Sequence, residues 1–98
     1  MEHQTHQIDN ITGLFSYETL MTKLNEHINK VFEQHDPKTL TAFLLVDIYR
    51  FTYINDIYGF DKGNDVLKFV GRTIKHMLKQ TDVVGRVKTA LFLLLIHR

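Results

Sequence analysis

Ninety-eight residues allow one domain, large enough for a core yet close to the size at which burial only just offsets chain entropy. The chain is 44% apolar and 23% charged, and its twelve basic and eleven acidic side chains are scattered, so a net charge of +1 gives no electrostatic case for nucleic acid or an anionic membrane. The absence of cysteine excludes a disulfide framework, a thiolate nucleophile and a cysteine zinc cluster, which fits a reducing cytoplasm. The first ten residues lack the apolar core of a signal peptide, and no run approaches the ~18 apolar residues of a membrane span.

Residues 1–8 read as a flexible polar lead, in which His3 and His6 have no carboxylate or cysteine at ligand spacing. Residues 9–98 then form one domain. Ser16 is placed to cap a helix from about Tyr17 to about Gln34. Its apolar positions, Tyr17, Leu20, Met21, Leu24, Ile28, Val31 and Phe32, recur at intervals of three and four and predict one covered face. Asp36-Pro37 ends it.

Thr41 to Ile48 reads as a short buried strand that delivers Asp47 at its exit. A carboxylate there suits a ligand-binding loop held by a rigid sheet, and equally suits a cap on the next helix. Phe51, Ile54 and Tyr58 fit a short helix. A longer one is expected from about Gly63 to about Lys79, with Val66, Leu67, Val70, Ile74, Met77 and Leu78 inward and Gly71 as a weakening residue. Val83 to Val87 and Leu91 to Ile96 read as strands of a hairpin, although the usual Asn-Gly or Asp-Gly turn is absent.

The run VDIYRFTYINDIYGFDKGNDVL resembles the core of the GGDEF family, the diguanylate cyclases, whose pattern there is roughly DxDxFKxINDxxGHxxGDxxL. Asp47, Phe51, Ile54, Asn55, Asp56, Tyr58, Gly59, Gly63 and Leu67 stand at matching positions. Asp9 to Leu14 is similar to the family's opening motif DxLTGL, and Asp82 to Arg86 to the segment leading into its signature loop. The resemblance spans nearly the whole chain. It implies an α+β, nucleotidyl-cyclase-like palm with a mainly antiparallel sheet, of which this chain is the N-terminal portion: helix, strand, two helices and a hairpin.

In the family, two GTP molecules are joined into cyclic di-GMP by attack of a ribose 3′-hydroxyl on an α-phosphate, with divalent metal bridging phosphate oxygens. The resemblance assigns metal binding to Asp47 and to the acidic third residue of the signature loop. That loop falls at Lys88, Thr89, Ala90, Leu91 and Phe92, and only the Phe is kept. Ala90 has no side-chain oxygen for a cation, which leaves Asp47 as a residual, weak ligand. Lys88 and Thr89 occupy space that two glycines would leave for phosphate, with Lys88 offering some charge in return.

Asn55 matches the family's guanine-reading amide, while Asn64 replaces an Asp and weakens a charge-assisted bond of ~1.5 to 3 kcal/mol. Arg86 aligns with a family Arg, Thr52 replaces a Lys, Tyr49 the second strand-end Asp, and Phe60 a His. Lys79-Gln80-Thr81-Asp82 stands where the family has its inhibitory RxxD site, with Lys79 keeping charge but not the planar fork. The plain reading of Lys79 and Asp82 is a helix end and a turn.

The function implied is a degenerate, catalytically inactive regulatory, nucleotide-sensing or dimerising module of cyclic di-GMP signalling. An active cyclase and a non-binding structural remnant are the alternatives. GTP or cyclic di-GMP is the implied ligand, with Mg²⁺ entering only alongside a nucleotide. A second copy, or a signalling domain such as a phosphodiesterase domain, is the implied partner, and the implied location is cytoplasmic. Because the pattern implies further helices and strands beyond Arg98, Leu91 to Ile96 is expected to lie uncovered, inviting dimerisation or docking.

Overall fold

The structure, a computed structural model, describes residues 7–34 and 36–98. His3, His6 and most of the expected lead lie outside the described residues. Gln7 and Ile8 lie within the fold: the Gln7 carbonyl accepts from the Ser16 N–H at 2.9 Å, and Ile8 bridges Phe15.

The elements in chain order are α1 (Tyr17–Gln34), β1 (Thr41–Asp47), α2 (Phe51–Tyr58), α3 (Phe60–Met77), β2 (Val83–Lys88) and β3 (Leu91–His97). The strands form one antiparallel sheet in the order β1-β3-β2. Alternation along β3 divides the core between the two faces of this sheet. Phe92 and Leu94 pack with Phe51, Leu67 and Ile74 from α2 and α3. Leu95 packs on the other side with Leu20 and Leu24 of α1.

Each start and stop has a local cause. Ser16 caps α1, its hydroxyl accepting weakly from the Thr19 N–H at 3.4 Å while its carbonyl accepts from Leu20 N–H at 2.9 Å. The single residue Gly59 separates α2 from α3, so α3 begins at Phe60 rather than at the expected Gly63 and ends at Met77. Gly71, expected to weaken this helix, is buried under Thr12 of the opening turn, where an added Cβ would press to 3.0 Å. Any larger residue would make the opening turn give way by a few tenths of an ångström.

The expected hairpin forms without its usual turn residues. Its register shifts between Arg86 and Lys88, and the Arg86 side chain closes the turn by donating from Nε and Nη2 to the Thr89 carbonyl at 3.0 and 2.8 Å. Two expectations about burial need correction. Leu91 to Ile96 is not uncovered: β3 is the central strand, and Phe92, Leu94 and Leu95 are buried. The bare strand is β1, where Phe43, Leu44 and Leu45 are 50%, 49% and 67% exposed.

The second correction concerns the helix faces. Only Leu20 and Leu24 of α1 are buried, and Tyr17 and Phe32 remain in solvent because the helix packs on β2 and overhangs it. Met77 is likewise exposed at the end of α3.

Candidate functional site

The opening motif acts as a clamp. The Asp9 carboxylate accepts from the Thr12 N–H at 2.9 Å and the Thr12 hydroxyl at 2.8 Å, and both its oxygens receive Arg86 Nη1, at 3.0 and 3.1 Å. Burial alone raises the Asp9 pKa, but the Thr12 bonds and the Arg86 charge outweigh it and hold the carboxyl below its ordinary value. Arg86 therefore joins the first turn of the domain to the hairpin turn. It is spent on Asp9 and Thr89 and does not line the cleft described next.

That cleft lies where β1 ends beside the hairpin turn. The Ile48 N–H donates to the Ala90 carbonyl at 3.0 Å, fixing the strand exit against the turn. Asp47, Arg50, Thr52, Asn55, Asp56 and Thr89 contribute to a cleft of about 550 Å³, and Ala90 and Phe60 also line it. Asn55 is half-buried, and α3 comes so close to it that a Cβ at Gly63 would collide with the Asn55 side chain. Asn64, the other expected guanine-reading amide, is half-buried on α3 and is not among the residues lining the cleft.

Asp47 is exposed at the strand exit and does not cap α2, whose N-cap position is Arg50 and which has no side-chain cap. Arg50 is the functional candidate that motif matching passed over. It adopts a left-handed backbone (φ 56°, ψ 41°), a conformation that a non-glycine residue holds only when its surroundings impose it. Its guanidinium lies 4.9 Å from the centroid of Tyr53 and 6.0 Å from that of Tyr49. An arginine set among Tyr49, Phe51 and Tyr53 was the available signal. It gives the cleft a cation two residues from Thr52, where the family pattern has lysine. Lys88 faces a separate surface with Ser16, Tyr17 and Arg86.

A divalent cation implied by the family finds few donors here. Asp47 and Asp56 are the cleft's carboxylates, Ala90 offers only its backbone, and among the described residues no group of three acidic, histidine or cysteine side chains could hold a metal ion. The residues do not form a protein-built metal site, since Mg²⁺ demands near-octahedral oxygen donors.

Lys79 and Asp82 do meet, beside a second cleft of about 290 Å³ that Lys75 also lines. The Asp82 carboxylate is fully engaged there. One oxygen accepts the Lys79 N–H at 2.9 Å, and the other accepts the His97 N–H at 3.0 Å and the Arg98 guanidinium. The Arg98 bond, aided by those from His97 and Lys79 and opposed by burial, holds its pKa far below the ordinary carboxylate value.

An antiparallel sheet covered by helices on both faces, with an aspartate leaving β1 beside a tight hairpin turn, defines a nucleotidyl-cyclase-like palm. The family model described as "Diguanylate cyclase, GGDEF domain" matches residues 6–98, and the chain belongs to the GGDEF family. It is 40% identical over 57 residues to diguanylate cyclase DgcM of Escherichia coli K12, an alignment covering 58% of this chain and 14% of that protein. It is 29% identical to diguanylate cyclase A of Treponema denticola, covering 91% of this chain and 24% of that one.

Among solved structures, the GGDEF domain of DgcB from Caulobacter crescentus, in complex with c-di-GMP, superposes with a TM-score of 0.87. Identity is 20%, over 100% of this chain and 54% of that one. Diguanylate cyclase SiaD of Pseudomonas aeruginosa, in complex with its activator SiaC, gives a TM-score of 0.78 at 31% identity, covering 91% of this chain and 33% of SiaD. The chain thus spans about half of the DgcB domain and a smaller share of the curated relatives. Among the described residues, no helix is long and apolar enough to cross a membrane.

Proposed function

We propose that this chain is a catalytically silent GGDEF module of cyclic di-GMP signalling, which holds a guanine nucleotide in the Asp47–Asn55 cleft and passes its occupancy to a second copy or to a neighbouring signalling domain such as a phosphodiesterase domain. The observation that carries this reading is Ala90 at the hairpin turn facing the Asp47 strand exit. Attack of a 3′-hydroxyl on an α-phosphate needs cations held by paired carboxylates, and Ala90 removes the second one.

Binding has better support than turnover. The Asn55 amide can both donate to and accept from a guanine edge, and the Arg50 fork suits a phosphate. Asp47 is then the residue that would share a Mg²⁺ brought in by the phosphates. GTP is favoured over cyclic di-GMP as the ligand, because Asp82 of the inhibitory-site remnant is already taken by Lys79, His97 and Arg98.

The test is incubation with GTP and Mg²⁺ alongside equilibrium binding of GTP and ATP. The expected outcome is no cyclic di-GMP, selective binding of GTP, and loss of that selectivity in Asn55→Ala, with an affinity drop of about tenfold or more from one lost hydrogen-bonded contact. Cyclic di-GMP formation that Asp47→Ala abolishes would overturn the silent reading.

A further inference from the structure

The α2 and α3 helices meet at Gly59, whose N–H donates to the Asn55 carbonyl at 2.9 Å and whose carbonyl accepts from the Gly63 N–H at 3.0 Å. Asn55 and Gly63 are thereby set opposite each other, each about one helical turn from the junction. Phe51, a turn before Asn55 on the same face of α2, and Leu67, a turn after Gly63 on α3, belong to one buried cluster beside them.

At this crossing there is no room for a side chain on α3. A Cβ added at Gly63 would fall on the Asn55 Oδ1 atom, 3.0 Å from the Cγ that carries it and 3.3 Å from Phe51 Cζ. The amide C=O therefore points almost straight at Gly63, and the Nδ2 end is turned away from α3. Oxygen is the end of the amide that a Cα–H accommodates, because the contact is a weak hydrogen bond, whereas an NH₂ group would set hydrogen against hydrogen. The other glycine of this helix differs. At Gly71 an added Cβ would press on the Thr12 backbone, while at Gly63 the nearest obstacle is the tip of one polar side chain. A glycine in a helix lowers the folding equilibrium by up to about fivefold relative to alanine. What Gly63 preserves is the pose of one amide.

We infer that Gly63 is a positioning residue of the cleft, holding the Asn55 amide with Nδ2 outward and through it selecting the base, a role that rests on the nucleotide reading above. A donor in that place suits the O6 acceptor of guanine and opposes the 6-amino group of adenine. Gly63→Ala would make the Asn55 side chain rotate out of the crease between the helices, because a short side-chain tip gives way more easily than two packed helices. The fold then survives and the base reader does not.

The test is titration of the full chain with GTP and with ATP, each with Mg²⁺, as the unsubstituted protein, Gly63→Ala, Asn55→Ala and the double variant. Gly63→Ala should keep its urea midpoint, lose about tenfold or more in GTP affinity, and hold its ATP affinity within about twofold, matching Asn55→Ala. In the double variant the second change should add no further loss, because the amide that Gly63 positions is already gone. In nucleotide-free protein, the Asn55 side-chain NH₂ pair in an amide NMR spectrum, assigned by its disappearance in Asn55→Ala, should shift in Gly63→Ala.

Unchanged GTP selectivity in Gly63→Ala would overturn the inference, as would losses that multiply in the double variant or an Asn55 NH₂ pair that does not move. A urea midpoint that falls equally with and without the Asn55 side chain would do so too, since it would make Gly63 a packing residue only. If the unsubstituted chain binds GTP no better than ATP, the nucleotide reading fails and base selection with it, while the NH₂ resonance still decides whether Gly63 places the amide.

Discussion

Arg86 shows how much one side chain organises. It holds Asp9 with Nη1 and closes the hairpin turn with Nε and Nη2, while remaining only 15% exposed. Arg86→Ala should therefore cost about 2 to 3 kcal/mol, because it leaves a partly buried carboxylate and the turn carbonyl without their partner. Arg86→Lys keeps charge but not the fork, and should recover less than half of the loss; urea midpoints would show both.

Asp82 gives the pH dependence. Its carboxyl is depressed in the folded state by Arg98, so its contribution to stability is fully present above its unfolded value of 3.8 and is lost as the pH falls below that. Asp9 acts in the same direction. The urea midpoint should fall steeply below about pH 4, and Asp82→Asn should start lower and fall less. Equal slopes for the two proteins would contradict this assignment. Sequence matching found both residues of the Lys79–Asp82 pair but read them as a ligand site or a solvated turn. The carboxylate's partners, His97 and Arg98, lie fifteen and sixteen residues further on, and only the folded chain brings them together.

At the scale of elements, periodicity located α1 to the residue but overstated what it covers. Leu20 and Leu24 lie on β2, whereas Phe32, on the same sequence stripe, is 68% exposed. A 3.6-residue repeat reports which side of a helix is apolar, not how far the surface beneath it extends. Leu20→Ala should then cost about 2 to 5 kcal/mol and Phe32→Ala within about 0.5 kcal/mol, a contrast that thermal or urea unfolding would measure. The α2–α3 junction was less legible, because a helix restarting one residue after another ends leaves no polar loop to mark it. The hairpin was legible from its apolar strands but not from its turn, since Arg86 supplies from a distance what Asn-Gly would supply locally.

For the whole molecule, three short motifs in order carried the fold, and the palm topology followed from them. Which strand lies open did not follow. Leu91 to Ile96 is the most apolar run and invited the reading of an uncovered surface, yet apolarity of that degree marks the strand buried on both faces. The less continuous β1 is left at the edge. The candidate site was half legible: Asp47, Asn55 and Ala90 were named from the motif and share one cleft, whereas Arg50, set there by its left-handed backbone, was not.

The central claim is that this cleft binds guanine nucleotide without converting it. Calorimetric titration of the folded chain with GTP and Mg²⁺, beside an identical titration with ATP, reads both halves of the claim at once. Saturable heat with GTP, little with ATP and a baseline that returns to zero after each injection is the predicted result. A sustained heat of turnover, or the same response to both nucleotides, would contradict it.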